Sequence, residues 1–440
     1  MTHPLGPMQA ALRWALGDGA PRLPEIRSLP GCVAAMSLVL YPYVYLPARA
    51  AFADQAADAI WAARGVGASG WRLFRHVGLP AARPAIGAGL GLALMEALND
   101  VGAAEFLGVR TLTVSVYTAW LTQGSLPSAA RIALPLLAVV LALLWAERRL
   151  RPRTAFVGEP AAIEPTRLPP LPGALAALAC AAPVALGFAA PVAHLAWKAT
   201  ERVAWQDLPP DLPGWIANSA FYAGWAALAA AGFGLCAAFA ARSGSAWPAR
   251  IVAAGYAMPA GVAAVGLIVA FGWIDDGLEI VQRALFGSGR GWFALGSGFA
   301  LVAAYAVRFM AVSAGGLDAA YARLAPDYDQ AARGVGCGPL RLLARIHMPL
   351  LAGPLGAAAL IVFVDAMKEL PATLLMRPVG VETLATALYA EAARGAYEDG
   401  AVAALALVAV AVLPAALLTR RQPGRREART ASARAVRASA

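Results

Sequence analysis

Apolar runs recur along most of this chain, and many reach about twenty residues, the length that an α-helix needs to cross the hydrocarbon core of a bilayer. Short polar segments that contain most of the arginines separate these runs. The pattern predicts an all-α, polytopic membrane protein with about nine spans. The predicted spans are 31–52, 84–104, 128–147, 173–197, 215–241, 250–274, 293–316, 352–373 and 399–419.

One polar segment between the predicted spans occurs twice. Residues 61–80 read WAARGVGASGWRLFRHVGLP, and residues 330–349 read QAARGVGCGPLRLLARIHMP. The two copies lie 269 residues apart (336 − 67 for a shared glycine), and they align without a gap. A repeat of this length indicates two copies of one structural unit. The shared residues are Ala62, Ala63, Arg64, Gly67, Arg72 and Pro80 in the first copy, and Ala331, Ala332, Arg333, Gly336, Arg341 and Pro349 in the second.

Each copy predicts a helix, a glycine break and a second short helix. We name residues 58–80 the first elbow and residues 327–349 the second elbow. The Gly-Val-Gly step in each can adopt backbone angles that other residues avoid. A single copy would most simply be an interfacial loop. Two copies with one spacing favour a rigid element that transmits force from a soluble partner.

The distribution of arginine predicts the orientation. Arginines concentrate in the elbows, in the segment 148–172 and in the tail 420–440, while the other loops hold most of the acids. The arginine-rich segments are therefore expected in the cytosol. Six predicted spans separate the elbows, an even number, so the two repeats should be parallel, with a pseudo-two-fold axis along the membrane normal.

The two predicted repeats are unequal in length. The first has three predicted spans and the second has six, so the first should lack its opening three spans. Span parity then places the N-terminal segment outside the cytosol, and either a late start or a true truncation would explain the difference. The expected domains are an extracytoplasmic segment 1–30, an incomplete first repeat 31–147, a cytosolic linker 148–172, a second repeat 173–419 and a basic cytosolic tail 420–440.

Composition excludes several functional classes. With 60% hydrophobic and only 14% charged residues, the chain is too apolar for a soluble globule. The net charge of +10 comes from arginines in short loops, so nucleic-acid binding is not indicated. Only two lysines occur, Lys198 and Lys368, and neither follows a glycine, so no Walker A loop is present. The scattered cysteines and histidines indicate no metal site, and no catalytic motif or cofactor site is predicted.

Charged residues within the predicted spans suggest a path for a substrate. A charge at the bilayer centre costs about 2.5–3.5 kcal/mol even on the gentler scales, so these residues should face away from lipid. The pattern predicts an acidic, water-filled path in the outer half of the membrane. The alternative is that Lys368 and Arg308 neutralise the acids structurally, with Arg308 pairing with one of them. The residues of the predicted path are Glu96 and Asp100, four residues apart on one helix face, and Asp365 and Glu369 at the matching positions of the second copy, joined by Lys368.

The elbows resemble a known sequence motif. Two alanines, three residues, a glycine, nine residues, Ile or Val, any residue, Leu or Met, and a proline make a spacing similar to the EAA loop of ABC-importer permeases. In that family the loop is the coupling helix that docks on the ATPase. The family's first glutamate is Trp61 in the first copy and Gln330 in the second, so a salt bridge from that position is not expected here. The resemblance implies a multi-pass inner-membrane protein, a dimer of ABC ATPase subunits and a periplasmic binding protein as partners.

Two further stretches, residues 24–52 and 365–378, resemble ferric-iron permeases in particular. That resemblance implies ferric iron as the substrate, delivered by a periplasmic iron-binding protein. Permeases for thiamine, sulfate or polyamines share this design and remain alternatives. A secondary transporter, or a membrane scaffold that transports nothing, is the alternative from another class.

Overall fold

The computed structural model describes residues 9, 13, 14, 16, 17, 25–53, 57–68, 70–150, 168–205, 207–245, 247–287 and 293–420. Most of the predicted N-terminal segment, linker and basic tail therefore lies outside the described residues. Within them the secondary structure is helical and contains no strand, which confirms the all-α prediction.

Among the described residues from 25 to 150, the chain forms seven α-helices and two π-helical turns. In order these are α1 (Leu29–Ala53), α2 (Ala57–Gly65), α3 (Gly70–Leu73), π1 (Phe74–Gly78), α4 (Leu79–Asn99), α5 (Val101–Phe106), α6 (Leu112–Tyr117), π2 (Thr118–Thr122) and α7 (Leu126–Leu150).

The remaining part begins with α8 (Pro170–Val184), π3 (Ala185–Ala189), α9 (Ala190–Trp205), α10 (Leu212–Arg242), α11 (Trp247–Ala257) and α12 (Ala260–Phe286). It continues with α13 (Gly298–Tyr321), α14 (Asp327–Gly334), α15 (Pro339–Leu342), π4 (Leu343–His347), α16 (Met348–Met367), α17 (Pro371–Met376), α18 (Leu384–Arg394) and α19 (Tyr397–Arg420).

The sequence repeat is also a repeat of helices. The elements α1 to α5 recur in the same order as α13 to α17. The bounds of α3 and α15, and those of π1 and π4, differ by the same 269 residues as the sequence copies (339 − 70 and 343 − 74). Each copy therefore runs from a long apolar helix through an elbow into a second long apolar helix.

Eight helices among the described residues are long and apolar enough to cross a membrane. The ninth predicted span coincides with α19, in which the shorter apolar stretch Asp399–Val412 is described. The predicted span 250–274 does not form one helix, because the chain breaks between α11 and α12. Pro259 lies at this break, and a proline disfavours helical geometry in the residue before it.

The described residues form two compact units. One lies within Met1–Trp197 together with Ala257–Gly266, and the other within Lys198–Tyr256 together with Leu267–Ala440. In the first unit α1 packs along α4. In the second, α10, α13 and α16 pack against one another around a core that includes Leu235, Leu317 and Leu351. The domain boundaries expected from the sequence stay a prediction.

One glycine in each unit packs closely against an equivalent residue of the repeat. A Cβ at Gly187, in π3, would overlap the carbonyl oxygen of Leu38 in α1. A Cβ at Gly255, in α11, would lie 2.5 Å from the carbonyl oxygen of Val307 in α13. Leu38 and Val307 are equivalent residues of the two copies (307 − 38 is again 269). Small residues permit such close approach of helix backbones in membranes.

Candidate functional site

The two elbows share one backbone conformation at the glycine break. In the first elbow Gly67 has φ 79°, its N–H donates to the oxygen of Arg64 (2.9 Å), and the N–H of Ala68 donates to the oxygen of Ala63 (2.9 Å). The paired bonds, three and five residues back, form the Schellman cap that ends a helix at a left-handed glycine.

The second elbow repeats this cap atom for atom. Gly336 has φ 73°, its N–H donates to the oxygen of Arg333 (3.0 Å), and Cys337 donates to the oxygen of Ala332 (2.9 Å). Pro339 then opens α15, where a proline has no N–H to leave unpaired. The special backbone angles predicted for the Gly-Val-Gly step are therefore present in both copies.

Each elbow then enters the next span through a π-helical turn, and a shared proline explains it. Pro80 and Pro349 have no N–H to bond a carbonyl of the preceding turn. The residue before each proline instead donates five residues back, from Leu79 to Phe74 and from Met348 to Leu343. Single π-turns inside helices are frequent at functional sites.

Apolar side chains project into solvent at matching positions of the elbows. Val66 is 85% exposed and Val335 is 84% exposed. Trp71 is 68% exposed, and Leu340 at the matching position is 79% exposed. The arginines of the shared pattern are exposed around them: Arg64, Arg72, Arg333 and Arg341. An apolar tip bordered by charged residues is typical of a surface that binds another protein.

The shared alanines have different environments. Ala332 is buried and Ala63 is half-buried, whereas Ala62 and Ala331 are exposed. In the first elbow the guanidinium of Arg64 lies 5.3 Å from the ring centre of Trp61, the residue that replaces the glutamate of the EAA loop. That position therefore takes part in a cation–π contact in this chain.

Four side chains beneath the second elbow form a group that we call the polar cluster: Arg242, Tyr321, Asp329 and His347. Asp329 accepts from Arg242 Nε (2.8 Å) and pairs with His347 Nε2 (2.9 Å). His347 Nδ1 lies 3.2 Å from the Tyr321 hydroxyl, and the His347 ring is fully buried. Arg242 also donates to the main-chain oxygens of Tyr321, Leu324 and Ala325.

The polar cluster sets the ionisation of Asp329. Burial by itself raises the pKa of this carboxyl. The hydrogen bonds from Arg242 and His347 outweigh burial and hold the pKa of Asp329 below its ordinary value. Asp329 is therefore a carboxylate at neutral pH, paired on both of its oxygens.

Sequence reasoning missed the polar cluster, because it compared only the residues that the two copies share. The counterparts in the first copy are Phe52 for Tyr321, Ile60 for Asp329 and Gly78 for His347. The signal in the sequence was this difference between the copies: an aspartate and a histidine occur in the second copy where the first has an isoleucine and a glycine.

The first elbow has aromatic contacts in the corresponding region. The rings of Phe52 and Phe74 stack with centres 5.9 Å apart, and those of Trp71 and Phe74 with centres 5.2 Å apart. The side chain of Ile60 is buried. The first elbow is thus held to α1 by apolar contact.

The predicted helix face of Glu96 and Asp100 is not formed, and that prediction was wrong. Helix α4 ends at Asn99, and Asp100 has an extended backbone with φ −79° and ψ 101°. Its carboxylate accepts from the N–H of Ala103 (2.8 Å) and so caps α5. The Oδ1 of Asn99 accepts from the N–H of Ala260 (2.9 Å) at the start of α12.

The matching residues of the second copy form ion pairs. Lys368 Nζ lies 3.0 Å from Asp365 Oδ1, and Arg308 Nη1 lies 3.0 Å from Glu369 Oε1. Both partners of the second pair are buried, and Glu369 also accepts from the N–H of Ala372 (3.1 Å). Arg308 therefore pairs with one of the acids, as expected from the sequence. These pairs support the structural alternative for the second copy.

Residues 27–156, which include the first elbow, match the family described as binding-protein-dependent transport system inner membrane component. A 2-aminoethylphosphonate transport system permease protein of Salmonella typhimurium is 31% identical over 148 residues, which cover 34% of this chain and 50% of the relative. A molybdenum transport system permease protein of Bacillus subtilis is 35% identical over 102 residues, 22% of this chain and 45% of the relative.

An Fe(3+)-transport system permease protein of Haemophilus influenzae is 27% identical over 120 residues, 27% of this chain and 24% of the relative. The chain spans about half the length of the first of these relatives, the phosphonate permease. The matching family and the eight apolar helices together confirm the prediction of a multi-pass protein of the inner membrane.

Proposed function

We propose that this chain, whose segment 27–156 belongs to the binding-protein-dependent permease family, is the membrane-spanning subunit of an ABC importer. In this proposal both elbows bind a separate ATPase dimer, and a periplasmic binding protein delivers the substrate. The observation that carries the proposal is that both elbows have the same backbone conformation at the glycine cap and exposed apolar tips at matching positions.

The form of the elbows suits the transmission of force. A Schellman cap fixes the angle between two helices through backbone hydrogen bonds, so a push on the tip is not absorbed by a flexible loop. Each elbow continues through its π-helical turn directly into a membrane span, α4 or α16. Movement of a bound partner would therefore reach the membrane helices.

The energy source lies outside this chain in our proposal. Neither lysine of the sequence follows a glycine, so the chain lacks the loop that would cradle ATP phosphates. A secondary transporter would need no partner at the elbows, and their exposed tips favour the importer over that class. The chain itself acts as a transport subunit and not as an enzyme.

Ferric iron is the substrate that we would test first. This choice of substrate rests on the resemblance of residues 24–52 and 365–378 to ferric-iron permeases and on the Fe(3+) permease among the relatives. Glu96 is half-buried and Asp100 is exposed, so acids suited to a hard cation remain at the end of α4. Other relatives are named for molybdenum and 2-aminoethylphosphonate, so these two substrates are the alternatives to iron.

The acidic path is part of the same proposal, with a reduced set of residues. Glu96 and Asp100 remain as candidates to attract a cation. Asp365, Lys368 and Glu369 contribute chiefly through their ion pairs, of which the Arg308–Glu369 pair is buried.

Replacing Gly336 with proline tests the proposed docking of the ATPase. Proline cannot adopt φ 73°, and it removes the N–H that bonds Arg333, which together should cost about 3 kcal/mol or more at the cap. We expect the Gly336→Pro permease to insert normally but to lose most of the coupling between ATP hydrolysis and uptake, measured in proteoliposomes with its ATPase and binding protein.

Gly338→Ala is the matched control, because Gly338 has φ −69° and a Cβ there meets no atom within 4 Å. Normal coupling in a properly inserted Gly336→Pro permease, or an equal loss in Gly338→Ala, would contradict the proposal.

A further inference from the structure

We propose that the polar cluster is a positioning device that makes the two elbows mechanically different. The second elbow moves together with the membrane helices around it, whereas the first elbow can shift relative to its own. This inference rests on the proposed docking of an ATPase at the elbows. Arg242, Asp329 and His347 act here as positioning residues for coupling.

The polar cluster joins four helical elements that meet beneath the second elbow. Arg242 is the last residue of α10, and Tyr321 is the last residue of α13. Asp329 lies in the first turn of α14, and His347 ends π4, immediately before α16. One connected set of hydrogen bonds therefore ties the elbow helix to three membrane spans.

The charges of the cluster match the helix ends on which they lie. Arg242 donates to the oxygens of Tyr321 (3.0 Å), Leu324 (3.2 Å) and Ala325 (3.3 Å), which lie at the end of α13 and just after it. A cation is favourable at a helix C-terminus, and an acid such as Asp329 is favourable in a first turn. The cluster is thus stabilised by both backbone and side-chain partners.

The bonds of the cluster are directional and largely shielded from water. The side chains of Arg242 and Asp329 are only 16% and 13% exposed. Removing one member leaves an opposite charge partly buried without its partner, which is strongly unfavourable. A displacement of α14 relative to α10 would break the Arg242–Asp329 pair, so the two elements should move as one body.

At the matching positions the first elbow has residues whose side chains cannot form these hydrogen bonds. Ile60 replaces Asp329, Gly78 replaces His347, and Phe52 replaces Tyr321. Apolar burial is non-directional, so the stacked rings of Phe52 and Phe74 can slide by small distances without losing their contact. A partner that moves both elbows by the same distance would therefore displace the spans attached to the second elbow more than those attached to the first.

Spin-label distances measured within each unit test this difference. The four native cysteines are first replaced. One label pair is then placed at Arg345→Cys and Ser243→Cys, and a second pair at His76→Cys and Arg49→Cys, all at exposed residues away from the apolar tips. Distances are measured on the full chain in lipid nanodiscs with its ATPase, before and after trapping with ATP and vanadate.

We expect the second-elbow pair to give a narrow distribution whose mean stays constant on trapping. The first-elbow pair should give a broader distribution whose mean shifts. Asp329→Asn should broaden the second-elbow distribution to the width of the first and should make its mean shift on trapping. Asp327→Asn is the matched control, since Asp327 lies in the same first turn but is exposed, and it should behave as the unsubstituted chain.

Arg242→Lys provides a second variant should Asp329→Asn fail to insert. It keeps the positive charge but loses the fork that reaches Asp329 and three carbonyls, so it should loosen the elbow in the same way. Equal widths and equal shifts for the two label pairs, or a second-elbow distance that neither variant changes, would overturn the inference. Absence of ATPase binding to the unsubstituted chain would instead refute the proposed function, and the distributions measured without ATPase would still test the cluster.

Discussion

At the scale of single residues, one buried carboxylate distinguishes the two copies. Asp329 accepts from Arg242 and His347 and lies where the first copy has Ile60. Its role depends on its charge, because both partners donate to it. Changing the ionisation of Asp329 therefore tests directly how much this residue contributes to the stability of the second elbow.

The pH dependence of the second elbow should follow the lowered pKa of Asp329. Because the folded pKa lies below the unfolded one, Asp329 contributes its full stability above the unfolded pKa of about 3.9 and loses it as pH falls through the folded pKa. We expect hydrogen exchange of residues 327–347 to show no contribution from Asp329 titration between about pH 8 and pH 5, and a steep loss of protection in stronger acid.

The comparison with Asp329→Asn isolates this contribution from that of other acids. The variant should exchange faster than the unsubstituted chain at neutral pH, and the difference should shrink in strong acid. A difference that grows as pH falls would contradict the assigned direction of the pKa.

At the scale of helices and loops, side chains distant in sequence set several boundaries. Asp275 is buried in α12, and its carboxylate accepts from the N–H groups of Phe293 (3.0 Å), Ala294 (2.7 Å) and Leu295 (2.8 Å). These three bonds hold the segment that precedes α13. They explain why this helix begins at Gly298, five residues later than the span predicted from hydropathy (298 − 293).

Replacing Asp275 with alanine should release this segment. Three N–H groups would lose a charged acceptor, and each buried donor left unsatisfied costs about 1–3 kcal/mol. We expect faster hydrogen exchange in residues 293–297 and a lower melting temperature for Asp275→Ala. Asp276→Ala removes the same charge from the adjacent exposed residue and should change neither quantity. Equal effects of the two substitutions would show that the hydrogen bonds of Asp275 do not hold the segment.

The sequence allowed the long helices and both elbows to be predicted for separate physical reasons. A bilayer requires long apolar runs, and the repeat exposed the glycine that each Schellman cap needs, at Gly67 and Gly336. The end of α4 was not predictable from apolar length, because Asp100 ends the helix by capping the next one. The polar cluster was not predictable from local pattern, because Arg242 comes from a span 87 residues before Asp329.

At the scale of the whole molecule, two copies of one elbow are attached to membrane helices in different ways. Both copies keep the cap, the π-helical turn and the exposed apolar tip. The second copy adds the polar cluster, whereas the first relies on stacked aromatic rings. Our account is that both elbows bind the same ATPase dimer and pass its movement on unequally.

A photo-crosslinking amino acid at the tips of the elbows would test the central claim most directly. Placed at residue 66 or 335 of the full chain in membranes that also contain its ATPase, it should yield an adduct with the ATPase from both positions. Val379 is a fully exposed valine in the segment between α17 and α18, so the same substitution there is the matched control and should yield no ATPase adduct. No adduct from residues 66 and 335, or an equal yield from residue 379, would contradict the account.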